Sequence, residues 1–88
     1  MSAQDEDDQR LMFHLGEMYK SLVLGVGNPE ITTRLTRNVV QADQRLFAAA
    51  QRMSAKLEPI CAKRDSKTAY VEHKQLELLR KLMEAANG

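Results

Sequence analysis

The sequence predicts an all-α protein: an antiparallel helical hairpin over residues of about 8–26 and 29–58, followed by a third helix over about 68–86. Three observations carry this expectation. Apolar residues recur at spacings of three and four along most of the chain, and a Gly-Asn-Pro break cuts that pattern cleanly. No stretch alternates with period two for long enough to make a strand. At 88 residues there is room for one small helical domain, and its core alone gives marginal stability. Burying all the apolar faces therefore requires either a three-helix bundle or an intertwined helical dimer.

The chain opens on Met1-Ser2-Ala3-Gln4-Asp5-Glu6-Asp7-Asp8, which reads as a flexible acidic tail over residues 1–7 with Asp7 or Asp8 as the helix cap. Leu11, Leu15, Met18, Leu22 and Val26 then form the apolar face of the first helix, with Met12, Tyr19 and Val23 beside it. Gly16 weakens this helix, and Gly25 and Gly27 end it. At the break, Asn28 suits the cap, Pro29 the first helical position and Glu30 the first turn. So short a link makes the two helices antiparallel neighbours.

The second helix has its apolar positions at Ile31, Leu35, Val39, Ala42, Leu46, Ala49, Met53, Leu57 and Ile60, and from Leu35 they keep a heptad-like seam that slips near Leu57. Pro59 is expected to bend or end it near Glu58. Val40 and Phe47 fall on a different side and cannot share the seam's partner. A charged linker, residues 62–67, leads to the last helix, which Ser66 or Thr68 can cap. That helix holds Tyr70, Val71, Leu78, Leu79, Leu82, Ala85 and Ala86, with Glu77 and Lys81 as an i,i+4 pair and Asn87-Gly88 as its stop.

Two greasy sides on one helix point to association, with itself or with a helical protein partner. The expected interface comprises Val40, Phe47, Leu46 and Met53, joined by Met12 and Tyr19 of the first helix. Flexible methionines (Met12, Met18, Met53) suit adaptable contacts. A second face of the long helix is basic, with Arg34, Arg37, Arg45 and Arg52 aligned to meet an acidic partner, including this chain's own Asp5 to Asp8 across a dimer. Nucleic acid is the alternative partner for that stripe, which would make the chain a small dimeric regulator. Against it stand a net charge of +1, an acidic first third and scattered aromatics.

Motifs for chemistry are missing. His14 and His73 lie on separate helices with no third ligand spaced to join them, so no metal site or cofactor is expected. Cys61 is alone, and Gly25-Val26-Gly27-Asn28 lacks the lysine and hydroxyl of a phosphate loop. Nothing marks a catalytic site or a small-molecule substrate pocket. No apolar run is long enough to span a bilayer, and the acidic start is unlike a signal peptide, so the sequence reads as a cytoplasmic, non-enzymatic protein.

Overall fold

Asn28 makes the first corner as its chemistry dictates: its side-chain oxygen accepts from the amides of Glu30 and Ile31, at 3.0 and 3.2 Å, with Pro29 just inside the helix. In the computed structural model, which describes residues 3–84, the chain forms four helices. They are α1 (Ala3–Leu22), α2 (Pro29–Ala42), α3 (Gln44–Lys63) and α4 (Tyr70–Met83). The expected three-helix bundle or intertwined dimer is therefore corrected to an all-α bundle of four helices.

Asp43 is the reason. The long second helix is interrupted there by one residue in extended conformation (φ −107°, ψ 106°). Its carboxylate turns back to accept from the amides of Arg45 and Leu46, at 3.0 and 3.2 Å, and so caps a new helix. Periodicity runs straight through this point, which hides the break from a reading of apolar spacing.

The boundaries shift for local reasons as well. Residues 3–7, expected in a flexible tail, are the start of α1, and Asp7 is buried. α1 stops at Leu22 rather than near Val26. The amides of Leu24 and Val26 both turn onto the Lys20 carbonyl, with Gly25 and Gly27 at positive φ (73° and 77°). Pro59 does not end α3. It lies on the exposed side with Glu58 and Ile60, and Ala55, whose carbonyl it leaves without an amide donor, is exposed too. Ser66 and Thr68 do not cap α4 either. Asp65 instead accepts from the amides of Lys67 and Thr68 and from the Thr68 hydroxyl, shaping the turn before it. The expected end of the last helix near residue 86, with Ala85, Ala86 and the stop at Asn87-Gly88, lies outside the described residues.

All four helices touch one another, α3 lying against both α1 and α4. The core joins Leu11, Leu15 and Met18 of α1, Val40 of α2, Leu46, Ala49, Ala50 and Leu57 of α3, and Leu76, Leu78, Leu79 and Leu82 of α4. The alanines let α3 approach its neighbours closely. No helix among the described residues is long and apolar enough to cross a membrane.

Cutting the helix at Asp43 gives its two halves different orientations. In α3 the expected seam faces inward, with Leu46, Ala49 and Leu57 buried. In α2 the continuation of the same seam (Ile31, Leu35, Val39 and Ala42) faces solvent, and the helix buries Thr36 and Val40 instead. Side-chain bonds hold α2 in that rotation. Arg37 Nε donates to the Lys81 carbonyl at 3.0 Å, and Gln41 donates to the carbonyls of Leu82 and Glu84. These acceptors belong to the last turn of α4 and its cap, which have no intrahelical donors of their own.

Candidate docking surfaces

The residues expected at an interface divide sharply. Val40 and Leu46 have no exposed surface and are core. Phe47, Met53 and Tyr19 are partly buried and pack against that core, and Met18 lies wholly within it. Met12 alone is well exposed, at 43%. The association argument based on Val40 and Phe47 therefore fails, because one chain buries the first fully and the second in large part.

The arginine stripe is dispersed as well, since it spans two helices. Arg45 Nε donates to Asp7 Oδ2 at 3.0 Å and a second guanidinium nitrogen reaches the Ala3 carbonyl. Arg52 meets Asp8 at 3.0 Å, and Arg10 joins the cluster through Asp43 at 2.7 Å and Asp7 at 3.5 Å. The chain's own acidic segment thus neutralises half of the stripe within the same molecule, without a dimer. Arg37 is held by Glu84, at 3.3 Å, and by the Lys81 carbonyl. Arg34 is exposed and has no ion pair among the described residues.

Three surface features remain. The first is the outer face of α2, where Ile31, Leu35 and Val39 are 45%, 58% and 45% exposed. Beside it, between α2 and α4, opens a cleft of about 460 Å³ lined by Arg34, Arg37, Asn38, Thr33, Glu30 and Lys81, with Leu22 and Pro29 at one end. Lys81 is available there because Glu77, its expected helical partner, pairs instead with Lys74 at 2.9 Å. The second is an apolar groove of about 230 Å³ between α1 and α4. It gathers Met12 and Tyr19 with Leu15, Gly16, Val71 and Leu78, while Lys74 and Gln75 border it. Gly16 leaves its floor open: a Cβ there would meet nothing within 4 Å.

The third is a shallow depression of about 1000 Å³ along α3 and α4 that contains both Cys61 and His73. A thiol and an imidazole in one hollow raise the question of nucleophilic chemistry. His73 is engaged elsewhere: its Nε2 lies 2.6 Å from the Arg64 carbonyl, where it ties the end of α3 to the start of α4. No group of three His, Cys, Asp or Glu side chains among the described residues converges as a metal site.

The exposed row on α2, and a Lys81 with no ion pair among the described residues, are what sequence reasoning missed. Ile31, Leu35 and Val39 read from spacing as part of one continuous apolar seam through to Leu57, and the one local signal of a break is Asp43, a good capping residue inside an apolar repeat. Compared with models of known protein families, with curated proteins and with solved structures, the chain finds no match.

Proposed function

We propose that this chain is a non-enzymatic interaction module that docks a helical protein partner on the outer face of α2. The observation behind this reading is the row Ile31, Leu35 and Val39, set four residues apart and facing solvent on a helix whose opposite side is fully committed. At about 1.5 Å per residue the row is roughly 12 Å long, and positions i, i+4 and i+8 share one face of a helix. A β-branched or leucine side chain forgoes about 1.5–3 kcal/mol when left wholly in water, and roughly half of that when half-exposed. Single exposed apolar residues are ordinary; an aligned row on one face is a more specific feature. The opposite face of α2 is fixed by Val40 in the core and by Arg37 and Gln41 on α4, so the row cannot turn inward without breaking those contacts.

The test compares the native chain with Leu35→Lys in the native cell. The native chain should retain a protein in fixed stoichiometry, and the variant, with an unchanged thermal midpoint, should lose it. A native chain that is strictly monomeric with nothing stoichiometric attached, or a variant that keeps the same companion, overturns the proposal.

A further inference from the structure

We infer that the occupant of the α2 face is an amphipathic helix of a different protein, carrying carboxylates along one flank; this rests on the docking reading above. The apolar row does not choose among partners, but the surface beside it does. On a helical wheel Arg34 and Asn38 border the row on the side turned toward α4, where the cleft of about 460 Å³ opens. The cleft's cationic groups are Arg34, Arg37 and Lys81, against one carboxylate, Glu30. Arg37 is taken by Glu84 and the Lys81 carbonyl. Arg34 and Lys81 have no carboxylate partner among the described residues. Each has a helical glutamate four residues before it, yet Glu77 is drawn to Lys74 and Glu30 makes no ion pair with Arg34. Two cations without a carboxylate partner among the described residues thus stand beside an exposed apolar row, Arg34 on its edge and Lys81 across the cleft on α4.

A partner helix packed at the usual interaxial distance of about 8–10 Å would set its apolar residues between Ile31, Leu35 and Val39. Its next flank would then lie over Arg34 and the mouth of the cleft, where glutamates or aspartates complement the exposed charge. A second copy of this chain fits poorly. Antiparallel pairing about Leu35 brings the two Arg34 side chains to the same edge of the interface at nearly the same level, like charge against like. A nucleic-acid backbone would need a longer cationic track, and Arg45 and Arg52 offer none, since they lie on α3 away from the cleft and are held by Asp7 and Asp8.

The experiment titrates the full chain with two synthetic helical peptides that share one leucine row, one bearing glutamates along the flank and the other lysines. The glutamate peptide should bind, more weakly as salt rises, and shift the amide resonances of Ile31, Arg34, Leu35 and Val39. The lysine peptide should bind at least about tenfold more weakly. The Arg34→Glu, Lys81→Glu double variant should reverse that preference, while Leu35→Lys should abolish binding of both. Reversal on a correctly folded variant, checked by its thermal midpoint, is a readout that simple destabilisation cannot produce. Equal binding of the two peptides, lost in Leu35→Lys, leaves the docking surface standing and overturns the acidic occupant. Failure of both peptides to bind also overturns it, while the docking surface is judged separately by co-purification. Self-association through Leu35, or a duplex oligonucleotide binding through Arg34 and Lys81 where the peptides do not, overturns it as well.

Discussion

Arg10 of α1 donates to one oxygen of Asp43 at 2.7 Å, while the other oxygen of that carboxylate caps α3. One side chain therefore breaks a helix, starts the next and ties both to the first. Replacing it should act on all three at once. Asp43→Ala is expected to lower the thermal midpoint by about 4–8 °C, and Asp43→Asn, which keeps a capping oxygen, by less. An unchanged midpoint in Asp43→Ala would mean that the α2–α3 break is held by packing alone.

Acid should act through the same group. The Arg10 hydrogen bond, helped by the amides of Leu46 and Arg45, holds the Asp43 carboxyl below the usual carboxylate range. Asp65 is lowered too, chiefly by the amide and hydroxyl of Thr68. A carboxylate lowered in the folded state takes up its proton at higher pH when unfolded. Its contribution is therefore complete above about pH 4 and is lost as pH falls through the folded value. Urea midpoints measured between about pH 2 and 6 should drop at the acid end, and the drop should be shallower in Asp43→Asn. Parallel curves for the two proteins would show that other carboxylates govern acid unfolding.

Val39 and Val40 are neighbours of identical chemistry in opposite surroundings, 45% and 0% exposed. Val40→Ala should cost roughly 1.5–3 kcal/mol of unfolding free energy. Val39→Ala should stay within about 0.5 kcal/mol. The reverse result would return the seam to the interior and remove the proposed docking face. This pair also marks how far the sequence could be read. The Asn28-Pro29 corner, the helical class and the α1 core residues Leu11, Leu15 and Met18 follow from local rules of capping and periodicity. The rotation of α2 does not. Both of its faces are apolar enough to be core, and the choice rests on Asp43 meeting Arg10 and on Arg37 and Gln41 meeting the end of α4. Such long-range contacts leave no trace in spacing. The exposed row was consequently visible as apolar residues, but not as a surface.

Glycine gives a second contrast. Gly16 lies within α1 with open space where a Cβ would stand, so Gly16→Ala should raise stability by about 0.5–1 kcal/mol. Gly25 has open space as well but a φ of 73°, so Gly25→Ala should lower stability by a comparable amount or more. Chemical denaturation of the two variants checks both signs. A loss of stability in Gly16→Ala would mean that the floor of the α1–α4 groove is not open.

Two arginines of the basic stripe are masked by the chain's own first helix. Asp7 and Asp8 project from α1 onto Arg45 and Arg52, each at 3.0 Å, and cancel charge that would otherwise line one side of α3. The Arg45 side chain is largely exposed and that of Arg52 only a third so, which makes each pair worth no more than about 1 kcal/mol. Neutralising the acids should therefore change surface charge more than it changes the fold. Asp7→Asn with Asp8→Asn should remain helical with a modest loss of stability, part of it from Asp7 being buried. Its affinity for duplex DNA at low salt should exceed the native chain's and fall steeply as salt is added. If instead the native chain already binds duplex tightly and the double variant gains nothing, the aspartates do not mask these arginines, and the basic surface regains its claim to function.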